Sequence, residues 1–600
     1  MTAAITSFTG SQSIRNVMYF TTLLSICALV SFSPITGTAD IKIGPDTSQQ
    51  IRAGEIVINE MMVDPDPAAG AVVYPEYIEL YNKKAFPIRL KSWKLGVGTT
   101  YKLLPDVIIP ADSFLVLTSV SGVSVFSEKI NVAGMTGFPV LANTGQIVQL
   151  LNDSGNIVSA VMYTDEWYQD PFKKEGGYSL EQVDADNPCG GIVNWRASVN
   201  GTGGTPGKKN SVAASNSDKS APQIHHIGVL SPTQLDVYFT EPMDSTTLSD
   251  PASYQVETIG TAASANPAKP LYDHVRLTLA SPLKENVVYT LSIARRACDC
   301  VGNILGGDNR IRVGIPQEAN QSDMILNELL FDPKPYGADF VEIFNRSDKI
   351  VDLKTIFLCH FDSIYGVVSS VERMTESGYL IFPGEYRVLT ENINSVKQQY
   401  GVQNAGVFIE VPHLPSLNAD KGDIALKTAN TLIDFFMYDA DMHFGLLHER
   451  KGVSLERVSP EKPTNERTNW HSAASTVGFA TPGFKNSQYV EPYQSDNVLT
   501  IYPEVFTPDN DGKNDLMNVY YQLEEPGWSS SVFIYDQTGR LVRTLANNDL
   551  TGTEGNYSWD GTSDDHSKLL PGIYVIYAQL INLSGKINVY KKVCVLSAKN

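Results

Sequence analysis

The sequence predicts an all-β protein built from antiparallel β-sandwiches in tandem. Three observations support this prediction: apolar and polar residues alternate with a period of two, turn-forming Gly and Pro recur throughout, and one long segment occurs twice. The chain has 600 residues. This is too long for one hydrophobic core and indicates roughly four domains.

Residues 1–39 are predicted to be a signal peptide. Arg15 precedes the apolar run VMYFTTLLSICALVSF, and small and polar residues follow it. The run has about 16 residues, whereas a membrane-spanning helix needs about 20. A membrane anchor is therefore the weaker alternative, and no transmembrane helix is expected in the mature chain.

A duplicated segment is the strongest pattern in the sequence. IVINEMMVDPDP returns as MILNELLFDPKP, EYIELYN returns as DFVEIFN, and GGYSLEQV returns as KGVSLERV. Trp195 corresponds to Trp470, and each is followed by an ending of the form T-P-G-x-x-N-S. One domain has therefore been duplicated, and the two predicted copies cover residues 50–212 (copy 1) and 321–488 (copy 2).

Each copy shows the alternation of half-buried strands. Ile56 and Ile58 lie on the opposite face of a strand from Val57 and Asn59. The later segment QIVQLLNDSGNIVSAVMY contains two such strands with the turn residues 152–155 between them. Strands of this kind, joined by turns, indicate an antiparallel sandwich.

The ordered motifs of both copies resemble the lamin-tail domain. They comprise a V/I-x-N-E opening, E-Y/F-I/V-E-L/I-x-N, Gly-x-Ser-Leu-Glu, a Trp and the final T-P-G-x-x-N-S. The resemblance implies an immunoglobulin-like (Ig-like) sandwich, known from nuclear lamins and from tandem arrays in secreted bacterial proteins. Copy 2 departs from the pattern where LKSW, ending in Trp93, becomes LKTI, ending in Ile356.

A further all-β unit is predicted at residues 218–315, between the copies. Its strand LDVYFT runs into EPMD, a Y-x-L strand follows, and a D-x-x-G-N turn comes late. These motifs resemble the bacterial Ig-like domains that act as spacers in surface proteins.

The last predicted unit covers residues 495–597. It contains FTPDNDGKND, YDQTGRLV, SWDGT and LPGIYVIY in that order. The motifs resemble the FlgD-type Ig-like domain and the C-terminal sorting domains of type IX secretion. The resemblance implies export to the surface of a Gram-negative cell, with the outer-membrane secretion machinery as a partner. The first motif departs from the common pattern, because PDNDG stands in place of PNGDG.

Charge and cysteine content exclude other classes. The formal net charge is −20, which repels phosphates, so no nucleic-acid partner is expected. Five cysteines follow the signal peptide. This odd, scattered set predicts no disulfide framework, and a bridge between Cys298 and Cys300 would be strained.

Two pairs of glutamates are candidate catalytic groups. Glu60 with Glu79, and Glu328 with Glu342, have the residue types of a glycosidase acid and nucleophile. The alternative is that they belong to framework strands, where they cap turns or pair with basic residues. Because no substrate-binding set surrounds them in the sequence, no catalytic residue is predicted.

Copy 2 contains a local group of histidines. His443, His448 and Glu449 lie close together in the sequence, and His471 follows later. They lack the H-E-x-x-H spacing of a zinc enzyme, so exposed loop positions are the preferred interpretation. An extracellular hydrolase, or an accessory module of one, with a site in these loops is the alternative function.

Asp509, Asp511 and Asp515 are the predicted metal ligands. Hard Ca²⁺ ions prefer several carboxylates on a tight loop, and this ion would act as a structural clip. The alternative is an Asx-rich turn whose side chains bond to their own backbone. No other cofactor is predicted.

These observations together predict a noncatalytic protein that is secreted or held at the cell surface. It would act as an extended structural, adhesive or ligand-binding scaffold, with sandwich loops contacting a surface glycan or a protein. The sequence does not identify that ligand.

Overall fold

The fold is described from a computed structural model that covers residues 51–402, 405–490, 498–524, 527–582 and 584–598. The predicted signal peptide lies outside these residues. Strands dominate throughout the described chain, and most of them pair in antiparallel sheets. The all-β prediction is therefore confirmed. No helix among the described residues is long and apolar enough to cross a membrane.

Copy 1 is a sandwich of a six-stranded and a four-stranded sheet. The sheet orders are β12-β11-β1-β2-β7-β8 and β10-β9-β4-β5, with β3 and β6 forming a small third sheet. The strands are β1 (Ile56–Met62), β2 (Tyr77–Asn82), β3 (Ile88–Arg89), β4 (Lys94–Val97), β5 (Thr100–Leu103), β6 (Ile108–Ile109), β7 (Ser113–Ser119), β8 (Val132–Met135), β9 (Gly145–Leu151), β10 (Ile157–Thr164), β11 (Leu180–Gln182) and β12 (Trp195–Ala197).

The core of copy 1 lies between its two sheets. Ile56 and Ile58 of β1 and Leu80 of β2 are buried in it, as their alternation predicted. Strand β1 is nevertheless buried on both faces. Its second face carries polar residues, Asn59 and Glu60 among them. Another segment of the chain must therefore cover that face and donate hydrogen bonds to its polar side chains.

Residues 218–315 form a seven-stranded sheet with the order β13-β14-β17-β16-β15-β18-β19. Asp244 caps the short helix α1 (Ser245–Leu248) by accepting a hydrogen bond from the Thr247 N–H. The strands are β13 (Ile224–Ser231), β14 (Gln234–Phe239), β15 (Tyr254–Val256), β16 (Gly260–Pro267), β17 (His274–Leu279), β18 (Tyr289–Ile293) and β19 (Arg310–Val313).

Copy 2 repeats the topology of copy 1. Its sheets have the orders β27-β26-β21-β20-β30-β31 and β24-β23-β28-β29, with β22 and β25 forming the small sheet. Helix α2 (Ile393–Tyr400) lies where copy 1 has a short 3-10 helix (Val120–Val125). The strands are β20 (Met324–Leu330), β21 (Phe340–Asn345), β22 (Val351–Asp352), β23 (Phe357–Asp362), β24 (Val367–Arg373), β25 (Leu380–Ile381), β26 (Tyr386–Thr390), β27 (Phe408–Glu410), β28 (Lys421–Lys427), β29 (Leu432–Asp439), β30 (Leu455–Arg457) and β31 (Trp470–Ser472).

The C-terminal region packs a three-stranded sheet, β32-β34-β37, against a five-stranded sheet, β33-β39-β38-β35-β36. Trp559 and Phe506 are central in its hydrophobic core. The strands are β32 (Leu499–Tyr502), β33 (Val505–Phe506), β34 (Met517–Gln522), β35 (Trp528–Asp536), β36 (Leu541–Thr551), β37 (Glu554–Trp559), β38 (Gly572–Asn582) and β39 (Ile587–Leu596).

A disulfide joins copy 1 to the unit that follows it. Cys189 pairs with Cys300, and 111 residues separate them in sequence. The expectation that the cysteines form no disulfide framework is wrong for this pair. Cys298 does not pair with Cys300, because Cys300 is already bonded to Cys189, and the Cys298 sulfur lies 3.7 Å from the Thr247 hydroxyl. The cysteines that stay free in the described chain are Cys298, Cys359 and Cys594.

The two other junctions are noncovalent. Leu380 and Phe382 of copy 2 complete the hydrophobic core of residues 218–315. His226 stacks between Tyr238 of its own sheet and Tyr379 of copy 2, with ring centroids 4.2 and 4.7 Å away. Beyond copy 2, the Asn510 side chain donates a hydrogen bond to the Ala473 carbonyl at 2.8 Å. Each pair of neighbouring units is thus held by specific contacts.

Candidate functional site

A row of buried glutamates crosses the six-stranded sheet of each copy. In copy 1, Glu60 on β1 lies opposite Glu79 on β2 and opposite Glu181 on β11. In copy 2, Glu328 lies opposite Glu342 and opposite Glu456. All six are at most 1% exposed. Two members of each row were predicted as pairs from the sequence, whereas the third was not, although the repeated S-L-E motif contains it.

The T-P-G-x-x-N-S ending of each copy covers this row. We call residues 205–212 of copy 1 and residues 481–488 of copy 2 the closing segments. In copy 1, the Thr205 N–H donates to Glu60 Oε1 at 2.7 Å. The Gly207 N–H donates to Glu79 Oε2, and the Val212 N–H donates to Glu181 Oε2 at 3.1 Å. The glutamates therefore accept the backbone donors that would otherwise stay unpaired on a buried segment.

A buried asparagine completes each closing segment. Asn210 Nδ2 donates to the carbonyls of Asn59 and Gln182, and its Oδ1 accepts a hydrogen bond from the Asn59 side chain. Asn486 makes the same set of bonds in copy 2, with Asn327 and Arg457 as its partners. The asparagine in the shared ending thus fastens the segment to two strands.

Burial changes the titration of the rows. It raises the pKa of Glu60 to about 7 and that of Glu328 to about 8, and the neighbouring glutamate adds to both shifts. Burial also raises the pKa of Glu79 and Glu342 well above the usual range. A carboxyl group that is buried beside other carboxyl groups favours its neutral form.

This geometry supports the framework interpretation of the glutamate pairs. A glycosidase needs its two carboxyl groups open to a sugar, whereas these side chains lie beneath the closing segments. The predicted pairing with basic residues does not occur, since the ion pairs of the described chain include none of the six glutamates. Hydroxyl, amide and backbone donors take that place.

The tryptophans of the closing motif pack in the sandwich cores. Trp470 stacks on Phe436 with ring centroids 3.9 Å apart, and its Nε1 donates to the Thr464 carbonyl at 2.6 Å. Trp195 is 1% exposed and lies 6.0 Å from the ring of Trp167. Their role is packing.

The histidines of copy 2 do not form a common site. His443 is buried, where its Nδ1 lies 2.9 Å from the Ser472 hydroxyl. Burial, with the nearby charge of Arg450, lowers its pKa to about 3. His448 and Glu449 are exposed, so the prediction of exposed loop positions holds for these two residues and is wrong for His443. His471 is buried as well.

Asp509, Asp511 and Asp515 lie together, with carboxylate oxygens within 4.8 Å of one another. The Asp515 carboxylate accepts hydrogen bonds from the N–H groups of Asp509, Asp511 and Gly512. That pattern is typical of an Asx-rich turn. The Ca²⁺ assignment stays a prediction.

A second acidic group lies where the sequence analysis predicted no site. Asp218, Glu241 and Asp299 also bring carboxylate oxygens within 4.8 Å of one another. Asp299 caps the D-x-x-G-N turn by accepting the N–H groups of Val301, Gly302 and Asn303. Burial, with the charges of Asp218 and Asp299, raises the pKa of Glu241 to about 7. Three separated segments supply this group, so no local motif identifies it.

Comparison with known families confirms the lamin-tail resemblance for copy 1, the bacterial Ig-like resemblance for the unit between the copies and the type IX secretion resemblance for the C-terminal region. Residues 49–165 match the lamin tail domain, residues 213–312 match a bacterial Ig-like domain, and residues 500–593 match the CHU_C type IX secretion signal domain. The secretion signal points to a protein that is secreted or displayed at the cell surface. The FlgD comparison stays a prediction.

Several solved structures of low similarity match this chain. Domains 1–6 of the surface-layer protein SbsC show 9% identity over 64% of this chain and 55% of that chain, with a TM-score of 0.15. A tetra-tandem repeat from the extending region of a large adhesion protein shows 12% identity over 91% and 99%, with a TM-score of 0.12. Dimeric latent PorU from Porphyromonas gingivalis shows 13% identity over 68% and 35%, with a TM-score of 0.14.

The chain therefore spans about half the length of the SbsC structure and about a third of the PorU structure. No curated protein matches this chain. At such low TM-scores the structural likenesses add nothing to a functional argument.

Proposed function

We propose that this protein is a noncatalytic scaffold, exported by its C-terminal domain and displayed at the surface of a Gram-negative cell. The observation that carries the proposal is the match of residues 500–593 to a type IX secretion signal, which follows a long all-β region. The outer-membrane secretion machinery is then the first partner of the chain.

The junctions support a scaffold that keeps its units in fixed positions. A disulfide ties copy 1 to the next unit, a shared core ties that unit to copy 2, and residues 509–515 dock on copy 2. Units that meet through flexible linkers alone move freely. Units that are fixed at each junction stay at a defined distance from their neighbours, which is what a spacer requires.

Export is tested by deleting residues 498–600 and locating the truncated protein. We expect the truncated chain to stay inside the cell envelope, and we expect a secreted reporter that carries residues 489–600 to reach the surface. A reporter that carries residues 213–315 is the matched control, since it adds an Ig-like unit of similar size. If the truncated chain still reached the surface or the medium, the export role would be wrong.

An exposed hairpin of copy 2 supports an adhesive or ligand-binding role. Strands β23 and β24 meet at a turn in which Ile364 is 84% exposed and Tyr365 is 78% exposed. Asp362 fixes the turn by accepting the N–H groups of both residues. Large apolar side chains held on an ordered turn are typical of contact surfaces. We infer that this hairpin contacts a glycan or a protein at the envelope.

This contact is tested by replacing Ile364 and Tyr365 with Ser and measuring adhesion of cells that display the protein. We expect adhesion to fall while surface display stays unchanged. Val140→Ser is the matched control, because Val140 is 76% exposed and lies in copy 1. Unchanged adhesion of the double variant would exclude the hairpin as the contact.

A further inference from the structure

The hydroxyl group of Thr205 lies between two carboxyl groups of the row. Its Oγ1 is 2.9 Å from Glu181 Oε1 and 3.3 Å from Glu60 Oε2. A hydroxyl group has one hydrogen atom to donate, and the shorter distance assigns it to Glu181. The Thr205 oxygen then faces Glu60 Oε2 with its lone pairs. That contact is favourable when Glu60 Oε2 carries a proton and repulsive when it does not.

The remaining contacts of Glu60 leave Oε2 as the protonated atom. Three donors converge on Oε1, namely the Tyr77 hydroxyl at 2.6 Å, the Ser179 hydroxyl at 2.6 Å and the Thr205 N–H at 2.7 Å. An oxygen with three donors has no room for a proton of its own. The proton on Oε2 completes a relay in which Glu60 donates to Thr205 and Thr205 donates to Glu181.

Copy 2 repeats this arrangement. Thr481 Oγ1 lies 2.7 Å from Glu456 Oε1 and 3.2 Å from Glu328 Oε2. Glu328 Oε1 accepts the Ser454 hydroxyl at 2.5 Å and the Thr481 N–H at 2.8 Å. One donor is missing, because Phe340 occupies the position of Tyr77. The anion of Glu328 is therefore less well stabilised than that of Glu60.

We propose that each copy closes by holding one proton between two buried carboxyl groups, through Thr205 in copy 1 and Thr481 in copy 2. The closing segment loosens when rising pH removes that proton, because two adjacent carboxylates then remain buried without a cation.

The groups that surround the rows do not compensate this charge. In copy 1 the basic residues nearest the row in register or sequence are exposed: Arg196 beside Glu181, and Lys208 and Lys209 on the closing segment. In copy 2, His471 lies beside Glu456, and Lys485 is the exposed base of the closing segment. The buried Arg457 follows Glu456 on β30, but its guanidinium pairs with Asp434 at 3.5 Å. The titratable phenols are Tyr77 in copy 1 and Tyr386 and Tyr400 in copy 2.

The direction of the pH dependence follows from the raised pKa values. In the open state the glutamates titrate near the ordinary value of 4.5, whereas in the closed state Glu60 titrates at about 7 and Glu328 at about 8. Closure is fully favourable below 4.5 and weakens as pH rises to the closed-state value. The contribution of Glu60 and Glu328 to opening increases by up to about tenfold per pH unit within that window and levels off above it.

Hydrogen exchange of the mature chain between pH 5 and 9 tests the proposal. After correction for intrinsic rates, the Thr205 and Val212 amides should open more readily up to about pH 7, and the Thr481 and Gln488 amides up to about pH 8. Amides of the central strand β38 serve as the control and should show no such trend. A flat profile for the closing segments would overturn the proposal.

Paired substitutions distinguish the effect of the shared proton from a general change in stability. Tyr77→Phe removes a hydrogen-bond donor to the Glu60 anion. It should therefore raise the pH up to which opening increases in copy 1, toward the value for copy 2. Phe340→Tyr adds the corresponding donor in copy 2 and should lower the pH up to which opening increases there. Glu60→Gln replaces the protonated acid by a neutral amide that still donates to Thr205, so copy 1 should lose the part of its pH dependence that Glu60 contributes, and its profile should become flatter than that of the wild type. A Gln variant that kept the wild-type pH profile would contradict the proposal.

A measurement on the wild-type chain keeps the proposal testable if the Gln variants do not fold. Infrared spectra in D₂O distinguish the carbonyl stretch of a protonated carboxyl group from the stretches of a carboxylate. We expect a protonated carboxyl band at pH 6.5 that loses intensity between pH 7 and pH 9, as Glu60 and Glu328 ionise and the closing-segment amides lose protection. Absence of that band at pH 6.5 would overturn the proposal.

Discussion

Replacing Asn210 by Ala is expected to release the closing segment of copy 1. The side chain makes three buried hydrogen bonds, with lengths of 2.8, 2.9 and 2.8 Å. Each is worth about 1 kcal/mol, and each buried partner left without a bond adds a further cost of about 1 kcal/mol or more. We therefore expect the free energy of segment opening to fall by at least about 3 kcal/mol, which is roughly a hundredfold increase in opening.

Asn486→Ala provides a second, independent test in the same chain. Asn486 makes the same three bonds, at 2.7, 3.0 and 2.9 Å. We expect the free energy of segment opening to fall equally in the two copies, as measured by hydrogen exchange of residues 205–212 and 481–488. Asn430→Ala, at an exposed turn, should change stability by less than about 0.5 kcal/mol. A loss below about 1 kcal/mol in either copy would refute the reasoning.

Other substitutions test the cores and junctions. Trp470→Leu should lower the stability of copy 2 by about 3 kcal/mol, measured by chemical denaturation, because a stacked and hydrogen-bonded ring is lost. Asn510→Ala should increase hydrogen exchange around Ala473 without changing copy 1. If the Ca²⁺ prediction is right, a chelator should lower the melting temperature of the wild type but not that of Asp511→Asn. Alkylation of unfolded, unreduced residues 51–600 should label Cys298, Cys359 and Cys594 but not Cys189 or Cys300.

The sequence predicts the sandwich fold and the repeat because both depend on local patterns. Alternating residues such as Ile56 and Ile58 identify a strand without knowledge of its neighbours. The duplication then assigns the same topology to copy 2, and the sheet orders of the two copies agree. Strand β1 is the exception, because burial of both its faces depends on a closing segment that comes about 150 residues later in sequence.

The glutamate rows could be predicted only in part. Glu60 and Glu79 stand out in repeated motifs, whereas their relation to Glu181 and Thr205 depends on the register of β1, β2 and β11. The Cys189–Cys300 bridge is harder still, because it joins loops of two different units and neither loop has a disulfide motif. Contacts between distant segments depend on how the units pack, and no periodicity in the sequence encodes that packing.

The two copies share the contacts of their closing segments and differ in the residue that ends each segment. At the end of each closing segment a backbone N–H donates to the third glutamate, from Val212 at 3.1 Å and from Gln488 at 2.8 Å. A backbone donor is the same whichever side chain is present. The Gln488 side chain is therefore free to reach Asn510 and Asp515 in the next unit, at 3.4 Å each. A duplicated unit can change its neighbour in this way without changing its fold, which suits a scaffold that joins different units in series.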